Sequence, residues 1–146
     1  TNDAYHASAL SEQAYGAVGS MQEALVTAQL TAGAIGYINT HGTGTENNDA
    51  VELHAMKQVF TTIPLFSSTK SFTGHTLGAA GALEAVFSLG TLQYQEVYPN
   101  LGFQTPEEAF SELPQLTYES EKSIRYVLSN SFGFGGNCTS LIFGKV

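Results

Sequence analysis

The sequence predicts an α/β domain with a mainly parallel mixed sheet, helices on both faces and a C-terminal hairpin. Three observations predict it. Short runs of strand character at 35–39, 63–67 and 125–130 are separated by longer segments of helical character. Strands that alternate with helices return parallel to one another through helical crossovers. The third run meets a tight glycine turn, Phe132-Gly133-Phe134-Gly135-Gly136, and a closing strand over 139–143, which makes an antiparallel hairpin.

Each element has its own signal. Residues 1–10 are irregular, and His6 reads as a surface loop residue. Ser11 can cap a first helix, in which Ala14, Val18, Met21, Leu25 and Ala28 repeat at helical spacing and Gly33 is the stop. The strand at 35–39 runs into His41-Gly42-Thr43-Gly44-Thr45. Asp49 and Glu52 have the spacing of a capping box, so a helix follows to about Phe60, with Val51, Ala55 and Val59 on one face and His54 on the surface. After the strand at 63–67, the run from Ala79 to Leu92 is apolar on every side (Leu83, Val86, Phe87 and Leu89 among others). It predicts a fully buried helix to about Gln95. Residues 98–116 form a long connection in which Glu107-Glu108 after Pro106 starts a short helical turn.

Composition narrows the function. A chain of 146 residues that is 42% hydrophobic and 12% charged is globular and long enough for one core, so residues 1–146 read as a single domain. A net charge of −8 with five Lys and Arg argues against nucleic acid. No apolar run reaches the length of a membrane span, so no membrane is expected. One cysteine permits no internal disulfide and suits a reducing cytoplasm. The start at Thr1, without Met or signal pattern, is that of a piece of a longer polypeptide.

Loops that leave the carboxyl ends of parallel strands gather at one edge, where sites form. His41 follows the first strand, Lys70 and His75 the second, and the Phe-Gly turn the third. His75 stands just before a helix start, whose free N–H groups disfavour a protonated ring. A neutral histidine there can donate to a carbonyl oxygen, or it can merely cap the helix. Thr43 and Thr45 can close a turn or bind a polar ligand tail. Glu84 in a buried helix needs a partner, and Lys70 is the candidate. Nine residues place Glu84 roughly opposite His75 on a helix, which makes Glu84 structural support. His41, His75 and a carboxylate match no compact zinc-ligand spacing. Cys138 reads as a small buried residue, and no serine sits in a nucleophile elbow. Two carbonyl-directed histidines without a nucleophile make half of a catalytic apparatus.

Three long motifs then resemble one family. Asn39 to Thr45 (N-T-H-G-T-G-T), Ser68 to Gly81 (S-T-K-S-F-T-G-H-T-L-G-A-A-G) and Asn130 to Gly136 (N-S-F-G-F-G-G) are similar, in order, to the C-terminal half of β-ketoacyl-acyl-carrier-protein synthases. The opening T-N-D-A-Y-H resembles the segment that begins this half. The resemblance implies a thiolase-like fold of two similar halves, usually in a homodimer. It implies condensation of a cysteine-held acyl group with malonyl on acyl carrier protein, whose phosphopantetheine arm carries the substrate, with no bound cofactor. His41 and His75 would bind the malonyl thioester carbonyl and stabilise the enolate. Lys70 would orient the site through Glu84, with Asp49 as further support. Thr43 and Thr45 would touch the phosphopantetheine arm. Phe132 and Phe134 would line and gate the acyl route, with the Phe134 N–H in the oxyanion hole. Asn39, Glu84 and Ser129 match the positions of a monovalent cation in some members.

The chain departs from the pattern in three ways. The half that bears the nucleophilic cysteine is absent, so this chain alone is expected to be inactive. Asn137-Cys138 replaces the usual threonine-asparagine pair after the glycine turn, which unsettles hydrogen bonding in the gate loop. No basic surface greets an acidic carrier protein. Two other functions remain: a non-catalytic subunit of the chain-length-factor kind, against which both retained histidines argue, and an acyl- or coenzyme-A-binding module.

Overall fold

The computed structural model describes residues 1–106, 110 and 112–145. Its elements are α1 (Tyr15–Ala28), β1 (Tyr37–Asn39), α2 (Glu46–Val59), β2 (Leu65–Ser67), α3 (Lys70–Thr73), α4 (Ala80–Tyr94), β3 (Tyr126–Gly133) and β4 (Asn137–Gly144). The sheet order is β2-β1-β3-β4. β1 pairs parallel with both β2 and β3, and β4 returns antiparallel on β3. The mainly parallel mixed sheet and the terminal hairpin are therefore present, the hairpin strands being longer than their sequence runs.

Side-chain alternation on the central strands separates two apolar layers. Ile38 and Leu128 face α1 and α2, together with Met21, Leu25, Val51 and Met56. Tyr37 and Val127 face the other way, with Leu92 of α4. Helices thus cover both faces. β1 is buried along its whole length because it lies between two parallel neighbours.

Several expected boundaries move, each for a local reason. Ser11 does not cap α1: its N–H and hydroxyl donate to the Asp3 carboxylate at 2.9 and 2.6 Å, and Ala14 in the left-handed region precedes the helix. α1 ends at Ala28 with Gln29 left-handed, while Gly33 lies in a separate 3-10 turn and Ala28 is exposed. Asp49 and Glu52 form no capping box. Thr45 is the N-cap residue of α2, and the two carboxylates serve the preceding loop. The Val51 and Ala55 face is buried as expected. His6 and His54 are on the surface. The expected turn at Glu107-Glu108 lies outside the described residues.

The largest difference is α4. His75 is not on it: a short α3, an irregular link and a 3-10 turn at Leu77–Ala79 come first. The helical-face argument that set Glu84 opposite His75 therefore has no basis. Nor is α4 buried all round. Glu84, Ser88, Thr91 and Leu92 face inward, while Leu83, Val86 and Leu89 are exposed.

Candidate active site

His41 follows the carboxyl end of β1 and is buried. Gly42 takes φ +39°, and a Cβ there would lie 2.5 Å from the Cβ of Ser68, so glycine is needed where the loop passes that residue. The Ser68 hydroxyl donates to the Gly42 carbonyl at 2.8 Å. Glu52 reaches up from α2 and accepts the N–H groups of His41 and Gly42, both at 2.9 Å, and the Asn130 amide at 3.0 Å. Complete burial pushes the Glu52 carboxyl up to about 7, against the downward pull of those three donors. Asp49 accepts the Gly44 N–H at 3.1 Å, so its support is to the loop backbone. The Thr43 and Thr45 hydroxyls lie 2.8 Å apart.

Lys70 opens α3 after β2 and is buried. Its ammonium forms an ion pair with Glu84, as the sequence reasoning required, and donates to the His41 carbonyl. It also lies 3.3 Å from His41 Nδ1. An ammonium only donates, so Nδ1 accepts and the ring proton sits on Nε2. Burial first, then the Lys70 charge, then His75, hold the His41 ring down to about 3, so it is neutral at physiological pH. The Leu77 N–H donates to His75 Nδ1 at 3.2 Å, which places that ring proton on Nε2 as well. The two rings, from separate loops, meet edge to face with centroids 5.5 Å apart. Two oriented Nε2–H donors side by side suit an oxygen that gains negative charge.

The third loop completes the edge. Phe132 is buried, its ring centroid 5.7 Å from that of His41, whereas Phe134 is 80% exposed. Gly136 takes φ +78°, and a Cβ there would lie 1.8 Å from the Asp3 carbonyl oxygen. The Asn137 amide donates to the Phe134 carbonyl at 3.4 Å, a side-chain tie within the turn. Cys138 is buried beside Gly16, and burial pushes its thiol up to about 11, the setting of an inert thiol. Asn39 and Ser129 are register neighbours, and the Asn39 amide lies 3.4 Å from the Glu84 carbonyl.

The structure thus brings His41, His75, Lys70, Glu84 and Phe132 together, with Thr43 and Thr45 on the same rim and Phe134 outside it. Sequence reasoning missed Glu52 as the anchor of the His41 loop, and Asn130 with it. Their signal was an acid set between the apolar Val51 and Leu53 of a helix and an amide inside a strand.

The fold is that of thiolase-like ketosynthases. The chain belongs to the β-ketoacyl synthase family, as its C-terminal domain: the family model described as "Beta-ketoacyl synthase, C-terminal domain" matches residues 1–104. The 3-oxoacyl-[acyl-carrier-protein] synthase 2 of Vibrio cholerae is 40% identical across the whole chain. A chain of the ketosynthase and chain length factor complex from Xenorhabdus doucetiae superposes with TM-score 0.92 at 40% identity, over all of this chain and 37% of that one. A chain of a type II polyketide ketosynthase complex with its acyl-carrier protein superposes at 0.91 with 31% identity, over all of this chain and 36% of that one. The chain spans about a third of the relative's length, 36% in the Vibrio cholerae protein.

Proposed function

We propose that this chain supplies the carbonyl-binding half of a decarboxylative condensing enzyme acting on malonyl-acyl carrier protein. The carrier's phosphopantetheine arm passes Thr43 and Thr45 and delivers the malonyl thioester. His41 and His75 donate Nε2–H bonds to its carbonyl oxygen. The carbon–carbon bond to the carboxylate breaks, carbon dioxide leaves, and the electron pair becomes an enolate whose oxygen the two donors hold. The enolate carbon attacks an acyl thioester on a cysteine of the missing half. A 3-oxoacyl thioester forms and the cysteine thiolate leaves. Lys70 is a positioning residue that fixes the His41 tautomer, and Glu84 neutralises it. Phe132 and Phe134 flank the acyl route. A monovalent cation held by Asn39, Ser129 and Glu84 would serve the loop structure only.

The observation that carries the reading is the pair of histidines with both Nδ1 atoms engaged by donors. The exposed apolar side of α4 supports a missing half that packs there, and this chain alone is inactive. Acyl carrier protein is the partner and a homodimer the state of the whole enzyme. Reconstitution with the rest of the polypeptide tests this. Condensation should appear, and His75→Ala should reduce malonyl decarboxylation by at least 10²-fold, as for loss of one oxyanion donor. Full activity after His75→Ala overturns the reading. A missing half without a nucleophilic cysteine selects the chain-length-factor role. Tight binding of a pantetheine thioester by this chain, with no condensation in the whole, selects the binding module.

A further inference from the structure

A polar thread crosses the apolar layer under α1 and α2, and the loop anchor at Glu52 is only one end of it. Asn130 and Ser140 stand directly opposite each other in the antiparallel pair of β3 and β4, so their side chains share one face. Leu128 and Phe132 flank Asn130 along β3, and Cys138 and Ile142 flank Ser140 along β4, all of them in or against the apolar cluster. Asn130, Glu52 and Ser20 are buried. Polar groups in such a layer need partners, and each member of the thread has one. The Asn130 amide donates to Glu52 Oε1 at 3.0 Å and lies 3.7 Å from Met21 Sδ. Its Oδ1 accepts the Ser140 hydroxyl at 2.7 Å. The Ser140 and Ser20 hydroxyls lie 3.0 Å apart, and Ser20 also donates to the Ala17 carbonyl at 2.9 Å.

Proton counting gives the thread a direction. Ionised Glu52 only accepts, so the Asn130 NH₂ faces it and the amide oxygen faces β4. The single Ser140 proton then goes to Asn130, and Ser140 accepts from Ser20. Ser20 has one proton for two acceptors, so its link is the weaker. Ser140 thus supports the end of the amide that does not meet Glu52. With a methyl group in place of its hydroxyl, Oδ1 becomes a buried acceptor without that donor. Two walls of the site meet at this amide. Glu52 holds the His41 and Gly42 N–H groups, and β3 carries Phe132, whose ring lies against His41.

We propose that Ser140, two strands away from β1, is a positioning residue of the condensing reaction: through Asn130 and Glu52 it holds the His41 loop in register with Phe132, with Ser20 as its weaker support. The proposal rests on the condensing reading of the two histidines. The test uses the full-length protein that carries this chain at pH 8, above the Glu52 ionisation at about 7. Ser140→Val and Ser140→Thr place side chains of similar volume there and differ in the hydroxyl. The valine variant should speed hydrogen exchange of the His41 and Gly42 N–H groups about tenfold relative to the Gly36 N–H, which bonds to the Tyr126 carbonyl. It should lower kcat for malonyl decarboxylation about tenfold, with KM changed by less than about twofold. The threonine variant should match the unmodified protein in both, and Ser20→Ala should move both in the valine direction by about threefold. Ser140→Ala carries the comparison where the valine variant does not fold. Equal behaviour of valine and threonine, or exchange raised as much at Gly36 as at His41, overturns the positioning role. The two readings fail separately. If His75→Ala abolishes decarboxylation and the valine variant leaves it intact, Ser140 has no positioning role and the condensing function stands. If the valine variant frees the His41 and Gly42 N–H groups while the unmodified protein shows no decarboxylation, Ser140 positions the loop and the condensing function fails.

Discussion

Glu52 offers the sharpest physical test, because its environment favours the acid over the carboxylate. Its ionisation moves from 4.5 to about 7, with desolvation the largest cause and the Asp49 charge a small one in the same direction. Folding therefore favours protonated Glu52. Its contribution is fully present below pH 4.5 and is lost as pH rises to about 7. That interval corresponds to about 3 kcal/mol. His41 has the opposite slope. Its ring is held down to about 3, so stability falls as pH drops from about 6.5, where an unfolded histidine takes a proton. The two slopes offset each other in the unmodified protein between pH 4.5 and 6.5, and only a difference curve separates them. Glu52→Gln removes the Glu52 slope. It adds a constant cost of about 1–3 kcal/mol, because one of the two backbone N–H groups then faces an amide NH₂. Urea denaturation of both full-length proteins from pH 4.5 to 8 gives the difference. The unmodified protein should lose about 3 kcal/mol relative to Glu52→Gln over that range. A difference flat to within about 1 kcal/mol, or one of opposite sign, refutes the account.

Lys70→Met leaves the Glu84 carboxylate buried without a cation, and should destabilise the fold by about 3–5 kcal/mol. Adding Glu84→Gln should restore more than half of that in the same urea assay, whereas strict additivity would show that the pair is not coupled. In histidine-selective NMR, the His41 ring signals should not titrate between pH 5 and 8, since the ring is held neutral down to about 3. Gly136→Ala puts a methyl group against the Asp3 carbonyl at a positive φ. It should raise hydrogen exchange of the Gly135 and Asp3 N–H groups, which now bond to Ala7 and Gly136, by at least tenfold. Cys138 should resist iodoacetamide at pH 8 in the folded protein and react after unfolding.

Much of this fold was legible because the signals are local. The three strand runs, the glycine turn and the apolar stripe of α2 each depend on neighbours within a few residues. The meeting of His41, Lys70 and His75 was legible, because all three stand in loops that follow the carboxyl ends of neighbouring parallel strands. The pairing of Lys70 with Glu84 was legible because a buried carboxylate needs a cation. What could not be read depends on contacts far apart in sequence. Ser11 looks like a cap until Asp3 folds back on it. Asp49 and Glu52 look like a capping box until the loop before α2 turns its N–H groups towards them. Spacing reports which residues share a helix, and it does not report which backbone donors lie above that helix.

α4 shows the same limit at the scale of the whole protein. Its apolar residues surround the axis, and sequence alone predicts burial on every side. In the fold its inner face carries Glu84, Ser88 and Thr91, because that face serves Lys70 and the sheet. Its outer face leaves Val86 at 65% and Leu89 at 51% exposed, with Leu77 of the preceding turn at 77%. Contiguous apolar surface of this kind marks an interaction face. The chain spans 36% of a relative that is 40% identical to it. A helix that is apolar outside and polar inside is ordered by the ion pair and the sheet beneath it, not by an apolar stripe. The burial on every side that the sequence predicts therefore holds for the inner face of α4 alone, and its outer face is exposed in this chain.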